Sequence, residues 1–168
     1  ELTLDAGQQW QQGGEHARAD EAFYFRQLDQ QTGYLYLGHF DVDPDWFEDF
    51  IDAQFAQIRV LELTSLVIDI RDNTGGNTDT VTYLARYLAD KPFRLISRMQ
   101  EKLNRDNRGL FGYKGEVGEV IDTEWDEWVE PRDADERFEG ESYLLIGPVS
   151  YSAAIVFATT VKDNQRIR

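Results

Sequence analysis

Cysteine is absent from this sequence. That removes disulfide bonds, thiolate nucleophiles and Cys-ligated zinc, and is compatible with any compartment. Positive charge is scarce: 17 Lys and Arg stand against 32 Asp and Glu, a formal net charge of −15. Nucleic acid is therefore disfavoured as a partner, because phosphate binding depends on Lys and Arg displacing counterions, and an anionic membrane surface is disfavoured for the same reason. Long hydrophobic runs are missing too. The most apolar stretch, "AAIVFATTV", is nine residues with two threonines, well short of the ~20 needed to span a bilayer, and no stretch reads as a secretory signal. Histidine occurs twice, as His16 and His39. The sole methionine is Met99 and the first residue is Glu1, so the chain is expected to be a processed product or an excised segment.

What is present suffices for one folded domain: 168 residues, 41% hydrophobic and 13% aromatic, supply material for a core. Residues 1–20, with Gln and Gly clusters and His16, read as a tail or the remnant of an upstream element. From residue 21 onward the pattern is that of a single core domain. "EAFYFRQLD" and "GYLYLGHF" read as neighbouring strands joined at "QQTG", with Gly33 free to take a positive φ. In "DVDPDWFEDFIDAQFAQIR", Asp43 is placed to cap a helix that begins at Pro44, and Phe47, Ile51, Phe55 and Ile58 fall on one face. The acids at 41, 43 and 45 resemble the start of a calcium loop, but Trp46 occupies the position where that loop needs glycine. Capping is the reading adopted, and no metal site is assigned.

"SLVIDI" reads as a strand buried on both faces. It is followed by a glycine loop and by a helix carrying Val81, Leu84, Ala85 and Leu88. "FRLISRM" and "ESYLLIG" read as later strands, and the alternation with helices predicts an α/β fold. Residues 100–140 read as an insertion. Between Glu116 and Glu141, twelve acids face only Arg132 and Arg137, a net of −10. It is expected to be a solvated excursion pinned by Trp125 and Trp128, with a substrate-covering flap as the alternative.

Two places can carry chemistry. In "IDIRDNTGGN" the backbone amides of Gly75 and Gly76 lie at the carboxyl end of a strand, where a developing negative charge could be received. The phosphate-loop patterns are absent, and a purely geometric turn accounts for the glycines equally well. In "GPVSYSAAIVFATTVKDN" a strand stops at Pro148 and a helix starts near Ala153. Ser150 or Ser152 at this junction suits an N-cap, and it also suits a nucleophile beside the amide of Ala153 at the helix's positive end. The GxSxG elbow of α/β-hydrolases is absent.

Taken together, "GYLYLGHF", "LVIDIRDNTGG" and "FEGESYLLIGPVSYSAAIVFATTVKDN" resemble, in that order, the catalytic core of the tail-specific, or C-terminal processing, serine peptidases. The resemblance covers roughly residues 22–100 and 138–168. It implies a crotonase-like or Clp-protease-like fold of stacked ββα units and a protein or peptide substrate with no cofactor. It also implies a location outside the cytoplasm. In that family the serine precedes the acid that closes the helix by eleven residues, and 163 − 152 = 11 selects Ser152. The same comparison implies an oxyanion hole from the amides of Ala153 and of Gly75 or Gly76. The sequence departs from the family in three respects. Ile155 stands where a glutamate is common. The family's lysine base, about two dozen residues after the serine, would fall beyond Arg168, so weak activity of this segment is expected. A PDZ module upstream is not expected either. His39 and Lys162 are the internal candidates for a base, neither well placed. A non-catalytic peptide- or ligand-binding domain of the same fold is the alternative, and a coenzyme A thioester enzyme is disfavoured by the acidity.

Overall fold

A computed structural model describes residues 22–108 and 114–163. The tail and His16 lie outside them. Strands β1 (Phe23–Gln27) and β2 (Thr32–Leu37) form an antiparallel hairpin, followed by helix α1 (Pro44–Val60), strand β3 (Ser65–Asp69) and helix α2 (Thr78–Arg86). A ribbon of β4 (Arg98–Lys102) and β5 (Val120–Glu124) precedes β6 (Glu141–Leu145) and helix α3 (Ala153–Asp163). The main sheet has the order β1-β2-β3-β6, with β3 parallel to both of its neighbours. This is the mixed α/β fold that the alternation of strand and helix patterns predicts.

Local chemistry explains the elements. Asp43 caps α1, its carboxylate accepting from the Trp46 amide at 3.0 Å, and Pro44 opens the helix. Phe47, Ile51, Phe55 and Ile58 are buried on one face of α1. They pack with Leu35 and Leu37 of β2, Leu66 and Ile68 of β3, Leu84 of α2 and Phe157 of α3 into one core. Asn77 caps α2 by accepting from the Asp79 amide.

The hairpin turn differs from expectation. Asp29 organises it by accepting from the amides of Gln31 and Thr32, each at 2.8 Å. Gly33 lies inside β2 and serves a packing purpose, since a Cβ there would come within 2.7 Å of the Phe25 ring. The expected strand "FRLISRM" is also corrected. Residues 93–97 lie outside the named strands, with Phe93 joined to Val129 by a single bridge, and β4 belongs to the separate ribbon. Strand β3 is fully buried on its core side, whereas Val67 on the other face is only half-buried.

The acidic segment is docked rather than loosely tethered, and not by the residues expected. Trp125 and Trp128 are exposed, while Phe138 is buried. The amides of Arg132 and Phe138 donate to the carbonyls of Arg86 and Tyr87, each at 2.9 Å. The Arg132 guanidinium lies 4.8 Å and 5.0 Å from the ring centres of Tyr83 and Tyr87, and reaches Asp52 at 3.1 Å. Both tyrosine hydroxyls donate to the same Asp52 oxygen at 2.6 Å. Tryptophan is the residue the sequence suggests as an anchor, but here an arginine stacks on Tyr83 and Tyr87 and pairs with Asp52 at once. Arg132→Ala is expected to lower stability by about 2 kcal/mol. Faster proteolysis within 116–141 should accompany a lower urea midpoint, and unchanged values for both would contradict the clamp.

Candidate active site

The two candidate segments meet. A Cβ built on Gly75 would lie 2.7 Å from the Cβ of Ser152, 2.7 Å from the Tyr151 carbonyl oxygen and 3.0 Å from the Ala153 nitrogen. The glycine loop at the end of β3 therefore sits directly against the turn that follows β6. Parallel pairing explains this, because Asp69 is in register with Leu145 and both strands release their chains at the same sheet edge.

Asn73 stitches the two segments together. Its side chain accepts from the Gly75 amide at 2.8 Å and donates to the Leu37 carbonyl at 3.1 Å, while its own carbonyl accepts from the Tyr151 amide at 3.2 Å. Being fully buried, it has no water with which to exchange these bonds. The Asx position two residues before a glycine was the available sequence signal for it.

The serines separate cleanly. Ser150 is buried; its hydroxyl donates to the Ile70 carbonyl at 2.7 Å and accepts from the Gly147 amide at 2.9 Å. It holds the turn. Ser152 is exposed, and its hydroxyl has no hydrogen-bond partner among the described residues. Neither side chain caps α3. The backbone at Ser152 has φ +52°, a left-handed conformation that costs a non-glycine residue roughly 1–3 kcal/mol. An N-cap residue is extended instead. A serine held in this conformation between a strand and a helix projects its hydroxyl outward, which is the backbone device of a nucleophile elbow without the GxSxG sequence.

The amides divide by role. The Gly75 N–H is engaged by Asn73, so of the two glycines expected to donate, Gly75 instead provides space, aided by its φ of +101°. Gly76 pairs with Phe40 through neighbouring residues, the Phe40 amide donating to Gly75 and the Asn77 amide to Phe40, which leaves the Gly76 N–H free among the described residues. The Ala153 N–H is also unengaged there and opens the eleven-residue helix α3, at its positive end.

Other predicted groups lie apart from this centre. His39 packs edge-on against Phe23 at 4.9 Å, and its buried Nδ1 has no partner. No hydrogen bond joins it to Ser152 among the described residues. Lys162 is exposed in the last turn of α3.

At the carboxyl end of β3 lies an ion pair that sequence reasoning did not identify. Asp69 is 1% exposed and binds Arg71 through two guanidinium nitrogens, at 2.7 Å for the closer contact, with the Arg71 amide at 2.9 Å and the Tyr34 hydroxyl completing its shell. Burial alone would raise the Asp69 pKa. The hydrogen bonds from Arg71 and Tyr34 outweigh it and hold the carboxyl below its usual range. Arg71 is pushed up by the same pair.

Known proteins extend this picture. The sequence profile of Peptidase family S41 matches residues 31–168, and the chain belongs to that family. No curated protein gives a match. Among solved structures, a protein of Parabacteroides merdae described as a candidate peptidase superposes with TM-score 0.65 at 22% identity, covering 87% of this chain and 41% of that one. The photosystem II D1 C-terminal processing protease superposes at 0.57 with 18% identity, covering 87% of this chain and 35% of that one. Mature CPAF gives 0.61 with 17% identity, covering 81% and 36% respectively. The chain thus spans about two-fifths or less of the length of these structures, whose fold it shares.

Proposed function

We propose that this chain forms the nucleophile-bearing part of a serine endopeptidase. In this reading the Ser152 hydroxyl attacks a peptide carbonyl and forms an acyl-enzyme that water then hydrolyses. The amides of Gly76 and Ala153 receive the negative charge that develops on the carbonyl oxygen. One observation carries the proposal: an exposed, unpartnered serine in a left-handed backbone conformation stands against Gly75. Strain of this kind is retained where the surrounding structure enforces it, and here Asn73, Ser150 and the glycine loop do so. Family membership supports the same reaction class.

Attack requires that the hydroxyl proton leave. No described side chain is hydrogen-bonded to Ser152 to take it, so the base is proposed to be a lysine outside the described residues, as the family resemblance implies. A fluorophosphonate applied to the full-length protein should form one adduct, mapped by mass spectrometry to Ser152 and not to Ser150. An adduct on Ser150 would refute the assignment. Absence of any adduct on the folded protein would favour the second reading, a peptide-binding domain of the same fold, which Ile155 in place of the family's glutamate supports.

A further inference from the structure

A groove of about 550 Å³ runs alongside α3. Its helix wall is made by Ile155, Val156, Thr159 and Asp163, which follow Ser152 at intervals of 3, 4, 7 and 11 residues and so share one helical stripe. Ser152 lies one residue before α3 and outside the groove's lining, at the end of the helix wall nearest Ile155. The opposite wall is the segment from Lys91 to Arg98, extended by Trp128.

Charge on these walls runs against the rest of the molecule. The chain has 32 acids to 17 bases, whereas the groove is lined by Lys91, Arg94 and Arg98 against a single carboxylate, Asp163, at the end remote from Ser152. The three bases are not equally available. Arg98 is bound by Asp122 through two nitrogens. Arg94 lies 4.6 Å from the ring centre of Trp128, donates to the Trp125 carbonyl at 3.3 Å, and meets Asp126, whose side chain is 86% exposed, at 3.5 Å. Lys91 makes no ion pair among the described residues. Between them lies apolar surface, with Ile155 43% and Ile96 37% exposed.

We infer that this groove is a substrate subsite which selects polypeptides carrying an acidic side chain next to an apolar one. The apolar side chain lies against Ile155 and Ile96, and the carboxylate meets Lys91 and displaces Asp126 from Arg94. At a rise of about 1.5 Å per residue the stripe from Ser152 to Asp163 is roughly 16 Å long. An extended peptide covers that in about five residues. The selected acid therefore lies within about five positions of the bond presented to Ser152. The inference rests on Ser152 as nucleophile for its place in catalysis, but its test is a binding measurement.

Fluorescein-labelled decapeptides of alanine bearing a central Leu-Glu, Leu-Gln or Leu-Lys, acetylated and amidated at their ends, are titrated against the full-length protein by anisotropy. The Glu peptide is expected to bind about tenfold more tightly than the Lys peptide, with Gln between them, and the margin should shrink as salt is raised. The double variant K91E/R94E should reverse the order, whereas Lys162→Glu, outside the groove, should leave it unchanged. Equal affinities for the three peptides, or a preference that survives the double reversal with circular dichroism unchanged, would overturn the inference. So would tighter binding of the Gln peptide with a free carboxyl terminus than of the amidated Glu peptide, because the carboxylate read would then be terminal. Fluorophosphonate labelling reports separately: labelling without peptide preference removes only the groove, and preference without labelling removes only the peptidase reading.

Discussion

Gly75→Ala is expected to reduce fluorophosphonate labelling of Ser152 by roughly a hundredfold or more, the scale of losing an oxyanion-hole donor. The new methyl would occupy space 2.7 Å from the Ser152 Cβ and 3.0 Å from the Ala153 nitrogen. Both distances are below ordinary contact. The Ser152 Cβ and the Tyr151 carbonyl are fixed by backbone, so relief requires the turn or the glycine loop to move. Either movement alters the backbone conformation that presents the Ser152 hydroxyl. The substitution also places a side chain at φ +101°, which adds about 1–3 kcal/mol of strain. A lower melting temperature should therefore accompany the lost labelling. Gly118→Ala offers a control: its φ is +94° but nothing lies within 4 Å of the added carbon, so it carries the backbone strain without the contact. Normal labelling in Gly75→Ala would mean that the glycine loop does not shape the serine's surroundings.

Asp69→Asn is expected to lower stability by about 2 kcal/mol: the carboxylate is buried, but the Arg71 side chain is 57% exposed and stays solvated, so the cost is mainly that of the broken charge-assisted hydrogen bonds. The Tyr34 hydroxyl would keep one acceptor at best, and the bidentate contact with Arg71 would be lost. The pH dependence has a fixed sign. The folded-state pKa of Asp69 is depressed, so its contribution is complete above the unfolded value near 4 and is lost as pH falls toward the folded value. Asp52 is also depressed: burial would raise it, but the Tyr83 and Tyr87 hydroxyls and Arg132 overcome that. Wild-type stability should thus decline as pH falls from about 5 toward 2, and Asp69→Asn should decline less steeply. Urea unfolding at several pH values measures both. Parallel curves for the two proteins would show that Asp69 is not linked to folding in this way.

Much of the architecture is read from local pattern because local rules produce it. The apolar stripe of α1 and the Asp43 and Asn77 caps each depend on residues close in sequence. Expectations failed where the determining contact was distant. Gly33 looked like a turn glycine, but its reason for being glycine is the Phe25 ring across the hairpin. Trp125 and Trp128 looked like anchors, but the α1 and α2 surfaces receive Arg132 and Phe138.

The sequence by itself carried the mixed α/β class and the three motifs in their order, and the resemblance those motifs bear to a known family is what favours Ser152 over Ser150, by its spacing to Asp163. Spacing along a chain is a one-dimensional quantity, and the motif is short enough to preserve it. Only the tertiary structure decided that Gly75 provides room while Gly76 keeps its amide free. It also decided that Asn73 joins the two loops and that Asp69 pairs with Arg71 and Tyr34 at the end of β3. Those assignments depend on which hydrogen-bonding groups remain unpaired once β3 and β6 lie side by side, and strand pairing is the step that local sequence does not encode.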